Sequence, residues 1–148
     1  MRPDAGPQAT ARARRTAREA ADSIGCAVSQ IAKSLVFRGV ETARPVLAIM
    51  SGSNRVDVAK LAVALGEPVG KADADFVRRQ TGFAIGGVPP VGHTGEVTIF
   101  LDRDLFRYRT LWAAAGDPFS VFELTPDDLE RATGAPRLDL KEDGRGES

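Results

Sequence analysis

Apolar positions along the chain fall into short runs separated by glycine, proline and polar turns, and the spacing within each run sorts them into helices and strands. From about Thr10 to Ile24 the chain is rich in Ala, Arg and Glu, which are good helix formers, and Gly25 follows where a helix C-cap stands. "IAKSLVF" at 31–37 and "PVLAIM" at 45–50 are short apolar and β-branched runs either side of a turn near Gly39, and they predict paired strands. In "SGSNRVDVAKLAVALG" a Ser/Gly/Asn turn leads into Val58, Leu61, Ala62 and Leu65 at helical spacing, closed by Gly66. A second short helix is predicted over about Asp73 to Gln80, ending near Gly82.

The second half carries a different texture. "FAIGGVPPVGHTG", residues 83–95, holds four glycines and two adjacent prolines, too broken for a helix or an interior strand, and predicts a shaped loop. "EVTIFLD", "TLWAAAG" and "SVFEL" read as strands, with a short helix or turn over Asp102 to Tyr108. In "TPDDLERATG" Thr125 is an N-cap, Pro126 sits at the first helical position, Asp128 takes the place of the capping-box acid and Gly134 follows the last turn. Short strands mixed with short helices, without regular βαβ alternation, predict a mixed α/β (α+β-like) single domain with no internal repeat.

Composition narrows the field. At 148 residues the chain suits one compact domain. We expect an N-terminal arm over 1–15, the domain over 16–138 and a flexible tail over 139–148. It is 43% hydrophobic and 27% charged, with no apolar run of the length a membrane span needs, so no membrane partner is expected. Twenty basic and twenty acidic residues cancel, so a nucleic-acid partner would have to be met by a local patch. One cysteine, Cys26, and one histidine argue against a disulfide framework and a Cys/His zinc site, and they suit a cytoplasmic location. The arginine-rich start lacks the apolar core of a signal peptide. Neither a dinucleotide fingerprint nor a P-loop occurs, so no cofactor is expected.

Candidate chemistry centres on Lys33. Strand alternation places it with Ile31, Leu35 and Phe37 on the bulkier face, opposite Ala32, Ser34 and Val36. Periodicity alone favours a lysine that snorkels to solvent; a lysine lining a pocket would have a lowered pKa and three donors for a carbonyl, hydroxyl or phosphate. In "GGVPPVGH" glycines allow backbone amides to approach a ligand and prolines hold the shape, as in an oxyanion hole; a rigid connection without a ligand is the plainer reading. His93 could act as a base but lacks evident triad partners, and Cys26 reads better as a small buried hydrophobe. "SGSN" at 51–54 could hold a phosphate on its amides or simply open a helix. Arg78, Arg79, Arg103, Arg107 and Arg109 are candidate phosphate contacts or a solvated face.

Taken in order, "QIAKSLVFRG", "RVDVAKLA", "TGFAIGGVPPVGHTG", "VTIFLD", "AAAG" and "LTPDDLERATGA" resemble the successive blocks of the YbaK/EbsC family of aminoacyl-tRNA deacylases, related to the editing insertion of bacterial prolyl-tRNA synthetases. The resemblance covers roughly Thr16 to Pro136. It implies a curved mixed sheet with a pocket, and hydrolysis of the ester joining a wrong amino acid to the terminal adenosine of a tRNA. The family's essential lysine is matched by Lys33, with Ser34 after it, and its GxxxP loop by Gly86, Gly87, Val88, Pro89 and Pro90. Gly92 and His93 extend that loop in the expected substrate-binding set, and a late strand-end glycine is matched by Gly116. An aminoacyl ester is already activated, so positioning a water, a ribose hydroxyl or the substrate's own thiol could suffice without a triad. The implied partners are aminoacyl-tRNA, including tRNA-Pro carrying a small amino acid, and prolyl-tRNA synthetase. The alternative is a non-catalytic module that binds an aminoacyl group or another small ligand. Ala113, Ala114 and Ala115 stand where some relatives carry polar or histidine residues, which leaves the amino-acid specificity open.

Overall fold

The computed structural model describes residues 16–117 and 119–143. The predicted N-terminal arm lies outside them, as do residues 144–148. Helix α1 runs Ala17–Ile24 from a Thr16/Glu19 capping box to Gly25, whose φ of +89° is the left-handed C-cap conformation. After a 3₁₀ turn, Val28–Gln30, come β1 (Ile31–Gly39) and β2 (Pro45–Ser51), paired antiparallel from Ala32–Ser51 to Arg38–Pro45. Then follow α2 (Val58–Leu65), β3 (Val69–Lys71) and α3 (Ala74–Thr81), the two helices capped by Asp57 and Asp73. After the glycine–proline loop come β4 (Thr98–Asp102), a 3₁₀ segment Arg103–Arg107, β5 (Leu111–Ala114) and β6 (Val121–Leu124). Helix α4 (Pro126–Thr133), with the expected Thr125/Asp128 box, and β7 (Arg137–Leu138) complete the described chain.

The strands form one mixed sheet in the order β6-β5-β1-β2-β4-β7, with β3 alongside β1. The mixed α/β single-domain expectation holds. Strand β2 is buried at every residue because both faces of the sheet are covered there, which is why "PVLAIM" reads as a continuous apolar run. Leu47 and Ile49 pack with Val77, Leu101 and Leu129 on one face, and Val46, Ala48 and Met50 pack with Leu61 and Phe100 on the other. Strand β1 follows the same division, Ala32 and Val36 to the first layer and Leu35 and Phe37 to the second, while Ile31 meets α1 at Ala20 and Ala21.

Two features were not readable from the sequence. Glu67, just after α2, reaches the β1–β2 turn: its carboxylate accepts from the Glu41 and Thr42 amides (2.8 and 3.0 Å), the Thr42 hydroxyl (2.6 Å) and Arg44 Nε (3.1 Å). These bonds, the Thr42 hydroxyl foremost, hold its pKa down at about 2. The close approach needs Gly39, where an added Cβ would lie 2.6 Å from Glu67 Oε1. The expected tail beyond 138 is the second feature, and it is corrected over its described part. Leu140 is fully buried among Val46, Met50 and Leu61, and Lys60 Nζ donates to Asp139 (2.9 Å), the Lys141 carbonyl (2.8 Å) and Asp143 (2.9 Å). One apolar side chain inside a charged segment is enough to anchor it.

Candidate functional site

Strand β1 is the spine of the site. On its outer edge β5 pairs only with Ile31 and Ala32, running parallel, and β3 pairs only with Phe37 to Gly39, running antiparallel. Between those two pairings no described strand covers the edge of β1, and a cavity of about 830 Å³ opens there. Helix α1 walls it with Thr16, Ala17 and Ala20, and the start of α3 with Ala72 to Ala74. The glycine–proline loop contributes Ile85, Gly86 and Val88, and the β5–β6 hairpin contributes Trp112, Ala114 and Val121.

Lys33 lines this cavity, half-buried, on the face predicted from alternation. Its ammonium donates to the Gly52 carbonyl at 3.4 Å. Burial lowers the Lys33 pKa, the nearby Arg55 lowers it further, and the Asp102 carboxylate opposes both. Asp102, 1% exposed at the end of β4, organises the turn that carries Gly52. Its Oδ2 accepts from the Ser51 amide (3.0 Å) and from Asn54 Nδ2 (2.8 Å), and its Oδ1 from the Asp104 amide (3.0 Å). Gly52 itself lies against the 3₁₀ turn, where a Cβ would come 2.3 Å from the Val28 carbonyl oxygen. In "SGSN" the Ser51 amide is therefore committed inward to the Asp102 carboxylate and the Asn54 amide to the Ser51 carbonyl, and the adjoining carboxylate disfavours a phosphate.

The glycine–proline loop is closed at its base by one residue. Buried Thr81 accepts from the Thr94 amide on its carbonyl (3.1 Å) and from the Phe83 amide on its hydroxyl (3.1 Å), so the loop's two ends meet there. Within the loop Gly86 has φ +87°, and the Gly87 amide donates to the Ala84 carbonyl at 2.9 Å. Pro89 and Pro90 carry no N–H. Of the GxxxP stretch, Gly86 and Val88 line the cavity, and Gly87, Pro89 and Pro90 are buried behind them. His93 does not line the cavity: its Nε2 lies 2.7 Å from the Pro89 carbonyl and its ring meets Phe83 edge-on at 6.4 Å. A carbonyl can only accept, so Nε2 bears the proton and His93 ties the loop to its own end. Gly92 sits on that exposed return, and Gly116, with φ +112°, packs towards Phe83 outside the lining.

The remaining candidates are dispersed. Ser34 lines the cavity beside Lys33, and its hydroxyl is buried without a hydrogen-bond partner among the described residues. Burial raises the Cys26 pKa, and its side chain, outside the cavity lining, packs against the small cluster of Ala20, Ala21 and Ile31. Arg103 and Arg107 pair with Asp139 and Asp104, away from the opening. Two cations that sequence reasoning did not single out, Arg38 and Lys71, line the cavity's far end, and Arg38 and Arg79 both stand over the Phe76 ring at 5.1 and 6.0 Å. Among the described residues no cluster of His, Cys, Asp and Glu is arranged to hold a metal, and no helix is long and apolar enough to cross a membrane.

Comparison with known proteins agrees with this architecture. YwhH of Bacillus subtilis, an uncharacterised protein, is 38% identical over 114 residues, spanning 77% of this chain and 72% of its own. EbsC of Enterococcus faecalis, named as a candidate Cys-tRNA(Pro)/Cys-tRNA(Cys) deacylase, is 30% identical over 115 residues, covering 77% of this chain and 70% of its own. A crystal structure of a candidate trans-editing enzyme for prolyl-tRNA synthetase superposes with a TM-score of 0.81 at 48% identity, covering 86% of this chain and 80% of that one. Residues 11–132 match the aminoacyl-tRNA editing domain, and the chain belongs to that family.

Proposed function

We propose that the protein hydrolyses the ester between a small amino acid and the 3′-terminal adenosine of a mischarged tRNA, acting in trans on tRNA-Pro or a related tRNA. The observation that carries this reading is the convergence of Lys33 and Gly86 on one cavity at the bare edge of β1. A cavity of about 830 Å³ is larger than a small amino acid needs and leaves room for the terminal adenosine.

The chemistry asks little of the side chains. A water, oriented by the site and by the neighbouring ribose hydroxyl, adds to the acyl carbon, the acyl–oxygen bond to the ribose breaks, and the ribose oxygen takes up the proton the water gives away. The activated ester needs its carbonyl oxygen stabilised as charge develops, which the Lys33 ammonium and the amides at Gly86 and Val88 would do in a partly desolvated site. Lys33 acts by charge and position, and its tether to Gly52 holds it there without neutralising it. Arg38 and Lys71 at the cavity's end are placed for the phosphates leading into the terminal adenosine, supplying locally the positive charge that the balanced composition lacks overall. A hydrolytic second sieve is useful because one methylene separates competing amino acids by only ~1–3 kcal/mol in a synthetase pocket.

The test is a deacylation panel, in which tRNAs charged with alanine, serine, threonine and cysteine are incubated with the purified chain and with Lys33→Ala. The substitution should lower kcat/KM by roughly 10²–10³-fold, the usual loss of one oxyanion-stabilising group. Wild-type rates in Lys33→Ala would sink the lysine's role. No hydrolysis by the intact protein would favour a ligand-binding module instead.

A further inference from the structure

The bare edge of β1 presents main-chain groups of known direction. The Gly39 amide donates to the Arg44 carbonyl on the β2 side, and the Val40 amide donates to the Pro68 carbonyl on the β3 side. Alternation then turns the N–H and C=O of Lys33, Leu35 and Phe37 towards β2, and those of Ala32, Ser34, Val36 and Arg38 outward. Ala32 is met by β5 and Arg38 by β3, but Ser34 falls in the gap between them, with no strand opposite among the described residues. Its N–H and C=O therefore point along the edge towards the cavity whose lining includes Ser34, and its hydroxyl is buried without a partner among the described residues.

We propose that the main chain of Ser34 receives the aminoacyl group as one strand residue receives another, its C=O accepting from the α-ammonium and its N–H donating to the ester carbonyl. This rests on the deacylase reading of the site and names how the amino acid is held. An extended amino acid carries its own donor and acceptor on one side, the same pair that an antiparallel neighbour offers in a doubly hydrogen-bonded position. The cavity supports this assignment by what its walls contain. Among the described lining residues the single carboxylate is Asp73, whose Oδ1 caps α3 by accepting from the Phe76 amide at 2.8 Å, and the strand-edge carbonyl of Ser34 offers an α-ammonium a second acceptor in the same cavity. Lys33 precedes Ser34 on the same strand, next to the N–H that would meet the ester carbonyl, where its positive charge assists rather than opposes. Main-chain recognition reads the backbone of the amino acid and leaves its side chain to the apolar walls.

The experiment uses 3′-alanylamino-3′-deoxyadenosine, whose amide replaces the ester, together with its N-acetyl derivative, and follows amide hydrogen exchange of the full chain by NMR. In the free protein the Ser34 amide should exchange faster than those of Lys33, Leu35 and Phe37, which face β2. The analogue should slow Ser34 at least tenfold, and N-acetylation, which removes the ammonium, should weaken binding about tenfold or more. An unchanged Ser34 amide at saturating analogue, no binding at all, or equal binding of the acetylated form would overturn the assignment. Hydrolysis of alanyl-tRNA with no change at Ser34 would leave the deacylase reading standing and remove this one; protection of Ser34 without hydrolysis of any ester would do the reverse.

Discussion

Replacing Asp102 by asparagine changes one atom and one charge behind the site, and both consequences can be worked out. The carboxylate is 1% exposed and accepts three hydrogen bonds, two on Oδ2 from Ser51 and Asn54 and one on Oδ1 from the Asp104 amide. Asparagine has one acceptor oxygen. If it faces Ser51 and Asn54, its NH₂ confronts the Asp104 amide donor, so one charge-assisted bond is lost and two become neutral. The expected cost is about 1.5–3 kcal/mol, the range for a hydrogen bond to a charged group, read by urea denaturation using the fluorescence of Trp112, the chain's single tryptophan. The second consequence is electrostatic. Asp102 raises the Lys33 pKa against burial and Arg55, so its removal lowers that pKa further. Lys33 works as an ammonium, present below its pKa, so the alkaline limb of the deacylation profile should move to lower pH once spontaneous ester hydrolysis is subtracted. Asn54→Ala serves as the control, since it loosens the same turn and leaves the carboxylate charge in place. Unaltered stability together with an unmoved alkaline limb in Asp102→Asn would refute the reasoning.

Gly52→Ala forces a methyl to within 2.3 Å of the Val28 carbonyl oxygen, so the turn must shift. We expect a loss of about 1–3 kcal/mol and a fall in kcat as the Lys33 acceptor moves, and wild-type behaviour in both assays would count against the packing described. Glu67 ionises at about 2 in the folded protein against 4.5 ordinarily, so its stabilisation is complete above 4.5 and is lost as pH falls towards 2. Glu67→Gln should flatten the dependence of Tm on pH across that window, and an identical slope in both proteins would exclude Glu67 as its source. Leu101→Ala empties a fully buried position between β2 and α4 and should cost about 2–5 kcal/mol in the same denaturation assay.

The elements that the sequence announces are those whose determinants lie within a few residues of one another. The Thr125/Asp128 box, the Asp57 and Asp73 caps and the glycine stops at 25, 66, 82 and 134 are all local hydrogen-bonding devices, and every helix they bound is in place. Strands β1, β2 and β4 to β6 were legible from apolar runs, whereas β3 and β7, with three and two residues, carry too little pattern to be seen. The face on which Lys33 lies followed from alternation, and the irregular, turn-rich course of residues 83–95 from its prolines and glycines.

What tertiary structure alone decided is where polar groups find partners and where they do not. Lys33 meets Gly52 across 19 residues, Ser51 meets Asp102 across 51, and Glu67 closes a turn 25 residues earlier, none of which local pattern encodes. The bare stretch of β1 exists because β5 stops pairing at Ala32 and β3 begins at Phe37. A strand's own sequence determines its two faces, but its edges belong to whatever segments fold against it. At Ser34 none of the described segments does, and the space left beside that residue is the cavity.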